Sequence, residues 1–406
     1  MKSSNRFTSM ATKGVQSLHP YQPGKPIEEL QREYGVSDVI KLASNENPLG
    51  ASPRVQSILA EACENIARYP DGNGFKLKQM LAKKHNISMD RITLGNGSSD
   101  PLEFVVRVFT QPGDEVLFSE HAFAMYPIVT QAASATAVVA PANDWGHDLD
   151  AMVERISERT RVIFIANPNN PTGTWLNGHD LESFIAKVPE SVVVVVDEAY
   201  FEYASEPALW LQKGLQKGLQ KGLQKGSQKG LQESQEGAVE YPDATQWLDR
   251  YPNLMVTRTF SKAYGLAGLR VGYSLSHPDL ANLLNRIRPP FNVNNMALAA
   301  ACVSIEDSNH VAKAVALNAQ EMERMSRAFE KMGLDYIPSV GNFVCVDVSG
   351  SMGRDGMAVY DALLHEGIIV RPVANYGMPN HLRVTLGLPE ENEKFLVALR
   401  KVLKKH

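Results

Sequence analysis

Val192-Val-Val-Val-Val-Asp-Glu-Ala-Tyr200 is a run of five valines that ends in two carboxylates. Branched side chains favour extended backbone, and a strand without polar alternation is one whose two faces are both buried. Such a strand belongs in the middle of a parallel sheet covered by helices on each side. Outward from it, short apolar runs recur between helical stretches from about Ser52 to Leu275: Ile92 to Leu94, Glu115 to Phe118, Arg161 to Ala166, Leu254 to Thr259 and Val271 to Leu275. This alternation predicts an α/β fold built on a mostly parallel sheet. Ser52 followed by Pro53 reads as an N-cap with proline at the first helical position, opening a helix that has to end before Tyr69-Pro70.

After Pro290 the pattern changes. A long helix over Asp307 to Met332, closed by Gly333, precedes the short strands Phe343 to Asp347 and Leu382 to Thr385 and a last helix. The expectation is an N-terminal arm (1–45), a large domain (46–290), and an interdomain helix with a smaller α+β domain (291–406), the ligand lying in the cleft between domains.

The chain has 406 residues, 41 Lys+Arg against 45 Asp+Glu, and a net charge of -4. With no cationic excess, nucleic acid is not an expected partner, and no apolar run reaches the ~18 residues of a membrane span. The first 27 residues are basic without the apolar stretch of a secretory signal, and the 41 residues before Leu42 leave no room for a DNA-binding domain. Cys63, Cys302 and Cys345 are far apart and lack metal-site spacing, so they read as buried thiols of a cytoplasmic protein and no metal is expected. Leu211-Gln-Lys-Gly recurs at Leu215, Leu219 and Leu223, then as Ser227-Gln-Lys-Gly. Glycine at every fourth position suits neither helix nor strand, so the tract (211–236) reads as a low-complexity surface insertion without chemistry.

Four segments carry candidate chemistry at strand ends. Gly95-Asn-Gly-Ser-Ser-Asp100 joins a strand to a helix, so Ser98 and Ser99 stand at a helix N-terminus suited to phosphate. Asn167-Pro-Asn-Asn-Pro-Thr-Gly173 is a stiff loop presenting Asn170. Asp197 is a carboxylate at the end of an apolar strand, a costly placement unless a cation meets it; a structural Arg or Lys is the bland partner. Thr259-Phe-Ser-Lys262, with Arg270 beyond, adds two hydroxyls, an amine and a guanidinium. A phosphate cradle, an oxygen-contacting Asn, an Asp for a buried cation and an imine-forming Lys are together what pyridoxal 5'-phosphate requires.

On these motifs the chain resembles the fold type I aminotransferases of the aspartate aminotransferase superfamily over nearly its whole length: Asn-Pro-Thr-Gly at Asn170 to Gly173, Asp-x-x-Tyr at Asp197 to Tyr200, and Ser261-Lys262 with Arg270. It is more closely similar to the histidinol-phosphate aminotransferases through Leu18-His-Pro-Tyr-Gln22, Leu42-Ala-Ser-Asn-Glu-Asn-Pro48, Arg68-Tyr-Pro-Asp71 and Gly367-Ile-Ile-Val-Arg371. The resemblance implies a seven-stranded, mostly parallel sheet, bound pyridoxal 5'-phosphate and a cytoplasmic homodimer with shared active sites. It implies Lys262 as the lysine joined to the cofactor, Asp197 on the ring nitrogen, Tyr200 and Asn170 at the 3'-oxygen, and Phe123 stacked on the ring. Ser98, Ser99, Thr259, Ser261 and Arg270 match the phosphate ligands, joined by Tyr69 from the neighbouring subunit. Arg383 matches the arginine for the substrate α-carboxylate; Arg371 and Tyr21 match residues that read a substrate phosphate. The implied reaction is reversible amino transfer between L-histidinol phosphate and 2-oxoglutarate, giving 3-(imidazol-4-yl)-2-oxopropyl phosphate and L-glutamate in histidine biosynthesis. An aromatic amino-acid aminotransferase of the same fold is the alternative, and a regulatory protein retaining the cofactor fold is the rival from another class.

Overall fold

The computed structural model describes residues 6–21, 24–205, 241–349 and 355–404. The Leu-Gln-Lys-Gly tract lies outside the described residues. Seven strands form the large sheet: β1 (Ile92–Gly95), β2 (Glu115–Ser119), β3 (Thr136–Ala140), β4 (Thr160–Ala166), β5 (Val193–Asp197), β6 (Leu254–Thr259) and β7 (Gly272–Ser276), in the order β1-β7-β6-β5-β4-β2-β3. All pairings are parallel except those of β7, which runs antiparallel to both β1 and β6. The link from β6 to β7 contains a 3-10 turn at Ala267–Leu269 and no crossover helix, so the chain returns antiparallel. The edge strand β3 has no counterpart among the apolar runs read from sequence. Two of its five residues are alanine and most are exposed, so neither period nor apolarity marks it.

The valine run occupies the centre, as its composition requires. Strand alternation sends Val194 and Val196 to a core shared with Ile163, Ile165, Leu254 and Val256, and Val193 and Val195 to a second core with Val162, Phe164 and Met255 on the other face. Ser52 caps the helix Pro53–Cys63 by accepting from the Val55 N–H at 3.3 Å. Cys63, at the end of that helix, is exposed, which corrects the reading of all three thiols as buried; Cys302 and Cys345 are buried. Among the described residues no helix is long and apolar enough to cross a membrane.

A four-stranded antiparallel sheet, β8 (Tyr336–Ile337), β9 (Phe343–Asp347), β10 (Arg371–Pro372) and β11 (His381–Thr385), runs in the order β8-β9-β11-β10. The outer two are too short to show a period. The helix Ser308–Met332 packs near it, capped by Asp307 and stopped by Gly333 at φ 69°, where only glycine is at ease. Ile40–Lys41 pairs in parallel with Ile368–Ile369, and Leu42 enters the core formed by this sheet and its helices.

On the sheet face opposite Asp197, alternation places Glu198 against Arg258. Arg258 Nε and Nη2 donate to Glu198 Oε2 at 2.9 and 2.7 Å, Nη2 also reaches Asp243 at 2.7 Å, and the guanidinium lies 3.4 Å from the Phe201 ring centroid. Burial works against the Arg258 charge, and Glu198 and Asp243 outweigh it. Removing one member leaves an uncompensated buried charge. Arg258→Met is therefore expected to lower unfolding free energy by about 3–5 kcal/mol in a urea titration, with Glu198→Leu/Arg258→Met losing less. Equal losses would place the cost in packing on Phe201 instead.

Candidate active site

The carboxyl ends of β4, β5 and β6 open onto a cavity of about 610 Å³, mouth included. Ten residues singled out from sequence line it: Ser98, Ser99, Phe123, Asn170, Asp197, Tyr200, Thr259, Ser261, Lys262 and Arg270. The turn after β1 delivers the two serines at the start of the helix Ser99–Phe109. Its geometry needs glycine at two points. Gly97 has φ +76°, and a Cβ there would stand 2.4 Å from Arg270 Nη2; a Cβ on Gly272 would stand 2.4 Å from the Ser98 nitrogen. Arg270 itself adopts φ 60°, a left-handed conformation costing an L-residue roughly 1–2 kcal/mol. That conformation aims Nη1 at Ser261 Oγ, 3.1 Å away. Hydroxyls, a guanidinium and a helix N-terminus thus converge without a carboxylate within 4 Å of Arg270 among the described residues. The arrangement suits a phosphate dianion.

Asp197 ends β5 and is buried. Its Oδ1 accepts from Thr257 Oγ1 at 2.8 Å and its Oδ2 from the Tyr126 hydroxyl at 3.0 Å. The structural Arg or Lys considered from sequence is not its partner; the nearby arginine, Arg258, lies on the other face with Glu198. Burial raises the affinity of the Asp197 carboxyl for a proton, opposed by the Thr257 and Tyr126 hydrogen bonds and by the charge of Lys262. A cation placed beside Asp197 would remove that penalty.

Lys262 Nζ donates to the Ser44 carbonyl at 3.3 Å and lies 5.7 Å from the Tyr200 ring centroid. Desolvation first, and Arg383 second, bring its ammonium down to about 8, against Glu46 and Asp197, which favour the charge. A primary amine is thereby partly deprotonated near neutral pH, as a nucleophile or proton carrier needs.

Arg383 comes from β11, opposite Arg371 of β10 in the antiparallel register. Its Nη1 donates to Asn170 Oδ1 at 2.6 Å and its Nη2 to the Ala43 carbonyl at 2.8 Å. Its Nε is buried without a partner, and no carboxylate lies within 4 Å among the described residues. A buried guanidinium without an anion is costly, and a ligand carboxylate would relieve it. Arg371 sits 5.7 Å from the Tyr21 ring centroid, beside this group.

Tyr69 is not at this cavity. It is 82 % exposed and stacks on Phe291 with ring centroids 4.6 Å apart. Sequence reasoning missed Tyr126, Thr257 and Asn45. Thr257 carried a signal, since it shares a strand face with Thr259; Tyr126 comes from a helix that no motif connects to Asp197. Among the described residues no group of three or more His, Cys, Asp and Glu is placed to hold a metal.

The sequence profile described as aminotransferase class I and II matches residues 37–399. The chain is 52 % identical over 402 residues to histidinol-phosphate aminotransferase 2 of Pseudomonas fluorescens, covering 98 % of this chain and 99 % of that one. It is 50 % identical over 397 residues to histidinol-phosphate aminotransferase 1 of Nitrosococcus oceani, with 98 % of each chain covered. Among solved structures, histidinol-phosphate aminotransferase from Sinorhizobium meliloti, in complex with pyridoxal-5'-phosphate, superposes with a TM-score of 0.82 at 27 % identity and 98 % coverage of each chain. The chain belongs to the class I and II aminotransferases and, within them, to the histidinol-phosphate aminotransferase family.

Proposed function

We propose that this chain transfers an amino group between L-histidinol phosphate and 2-oxoglutarate with pyridoxal 5'-phosphate, the step of histidine biosynthesis that gives 3-(imidazol-4-yl)-2-oxopropyl phosphate and L-glutamate in the reverse sense. One observation carries the reading. Among the described residues, a single site combines a buried carboxylate without an ion pair, a buried guanidinium without an ion pair, and a lysine amine whose proton affinity the first raises and the second lowers. The residues fit the cofactor: Asp197 answers a protonated ring nitrogen, and Ser98, Ser99, Thr259, Ser261 and Arg270 answer its phosphate. Phe123 lines the same cavity as an apolar ring for stacking.

When bound, pyridoxal 5'-phosphate supplies an aldehyde that condenses with amines and a ring that accepts electrons from the adjoining carbon. Asp197, kept in place by Thr257 and Tyr126, holds the proton on the ring nitrogen. Tyr200 and Asn170 serve the ring oxygen. Lys262, the amine that would join the cofactor aldehyde, would also hold and move the proton at the substrate carbon bearing nitrogen, as a base kept within reach of it. Arg383 takes the α-carboxylate of glutamate through the planar fork that its unpartnered Nε completes. Arg371 and Tyr21 take the phosphate of histidinol phosphate, which has no α-carboxylate.

The same reading includes a cytoplasmic homodimer in which Tyr69 serves the partner's site, and the division into arm, large and small domains at 45 and 290. Ile66, Tyr69, Phe75 and Phe291 are large apolar residues exposed on this chain, in keeping with a face that a second copy covers.

Lys262→Ala is expected to abolish transamination and the yellow colour of the protein, and borohydride reduction of the wild type followed by peptide mapping should place the pyridoxyl group on Lys262. Uptake of cofactor by the cofactor-free protein should accelerate as pH rises through about 8, because the deprotonated Lys262 amine is the reacting form. Arg371→Ala should lower kcat/KM for histidinol phosphate by roughly ten- to a hundredfold, the size of one charge-assisted contact, and change turnover of phenylalanine or tyrosine much less. Equal losses would make Arg371 a structural residue. Mixed dimers of Tyr69→Phe and Lys262→Ala chains should regain sites of wild-type cofactor affinity; if subunit exchange restores none, Tyr69 does not act across the interface.

A further inference from the structure

Tyr200 enters the cavity just beyond β5, yet its hydroxyl is bonded by Asn45, which Thr385 in turn orients. Asn45, in the segment after Ile40–Lys41, is 1 % exposed and adopts φ 55°. Its backbone N–H donates to Thr385 Oγ1 at 2.9 Å, and Thr385 Oγ1 lies 3.1 Å from Asn45 Oδ1. A backbone N–H only donates, so the threonine oxygen accepts there and its own proton goes to Oδ1. Turning the amide over would put two donors on that oxygen and deprive its buried proton of an acceptor. Asn45 Nδ2 therefore faces Tyr200 and donates to its phenolic oxygen at 2.8 Å. The Tyr200 proton is not spent on Asn45, and the hydroxyl keeps it for the cavity. Burial holds Tyr200 protonated, raising it to about 12.

We propose that Asn45 is a positioning residue for Tyr200: oriented by Thr385, its side-chain amide occupies the phenolic oxygen as a donor and so commits the Tyr200 proton to an oxygen of the bound cofactor ring. The inference rests on the reading that this cavity binds pyridoxal 5'-phosphate. It makes a relay of fixed polarity, from a hydroxyl on β11 through the N-terminal segment to the site. Each donor in such a chain strengthens the next.

The test is the pH at which the visible absorption of the cofactor-loaded protein changes. A hydrogen bond to the ring oxygen withdraws charge from it and lowers the basicity of the Lys262 nitrogen conjugated with it. Weakening that bond moves the midpoint to higher pH. Asn45→Gly removes the amide while a left-handed φ remains comfortable, and Thr385→Val removes the hydroxyl that orients it. Both should raise the midpoint by about 0.5 to 1 pH unit, the worth of one buried hydrogen bond. Thr385→Ser, which keeps the hydroxyl, should leave it where the wild type has it. An unmoved midpoint in both Asn45→Gly and Thr385→Val, or an equal shift in Thr385→Ser, would overturn the assignment and leave Asn45 as an anchor of the segment. A wild type that takes up no coloured cofactor would instead refute the proposed function, and this inference with it.

Discussion

A carboxylate at the end of a doubly buried strand is the constraint around which this molecule is arranged. Asp197 cannot be solvated where the sheet places it, and the neighbouring strand cannot be moved, because Asp197 pairs in register with Thr257. Period-two alternation then decides everything nearby. Thr257 hydrogen-bonds Asp197 on one face, while Glu198 and Arg258 are sent to the other, where they close on each other. Two adjacent carboxylates thus meet opposite solutions. The one facing away from the site is paired with Arg258 inside the protein, and the one facing the site receives the Thr257 and Tyr126 hydroxyls and the Ala199 backbone N–H, with no ion pair among the described residues.

That incompleteness is matched by Arg383, which bonds the cavity residue Asn170 and whose Nε lacks an acceptor among the described residues. A protein that leaves a buried anion and a buried cation unpaired in one site carries a cost that bound molecules relieve. A cofactor with a cationic ring and a substrate with a carboxylate have the complementary charges. Lys262 lies in the field of both: burial first and Arg383 second make its amine lose its proton more readily than an exposed lysine, while Asp197 opposes the loss.

The four-stranded sheet contributes to the site through directional contacts. Arg383 reaches Asn170 of the loop after β4, Cys345 Sγ donates to the Pro171 carbonyl at 3.0 Å, and Gly173 stands so close to Ser339 that a Cβ would lie 2.1 Å from its hydroxyl. The Asn-Pro-Asn-Asn-Pro-Thr-Gly loop is therefore both a lining of the site and the seat of the small sheet. Its glycine is needed for close approach as much as for its turn.

By itself the sequence determined the central strand, the capped and glycine-stopped helices, and the four motif loops, because each rests on forces between residues close along the chain: branched side chains, a serine before a proline, a left-handed glycine. The motifs and the family resemblance also anticipated ten side chains that line one cavity, since strands of a parallel sheet deliver their carboxyl ends to the same edge. Tertiary structure alone decided the partners. No local rule connects Tyr126 or Asn45 to the Asp197 to Tyr200 segment, marks Thr136–Ala140 as an edge strand, exposes Cys63, or sets Arg371 beside Arg383. Those relations join residues far apart in sequence, and burial, register and the need to satisfy every buried polar group fix them only once the whole chain has folded.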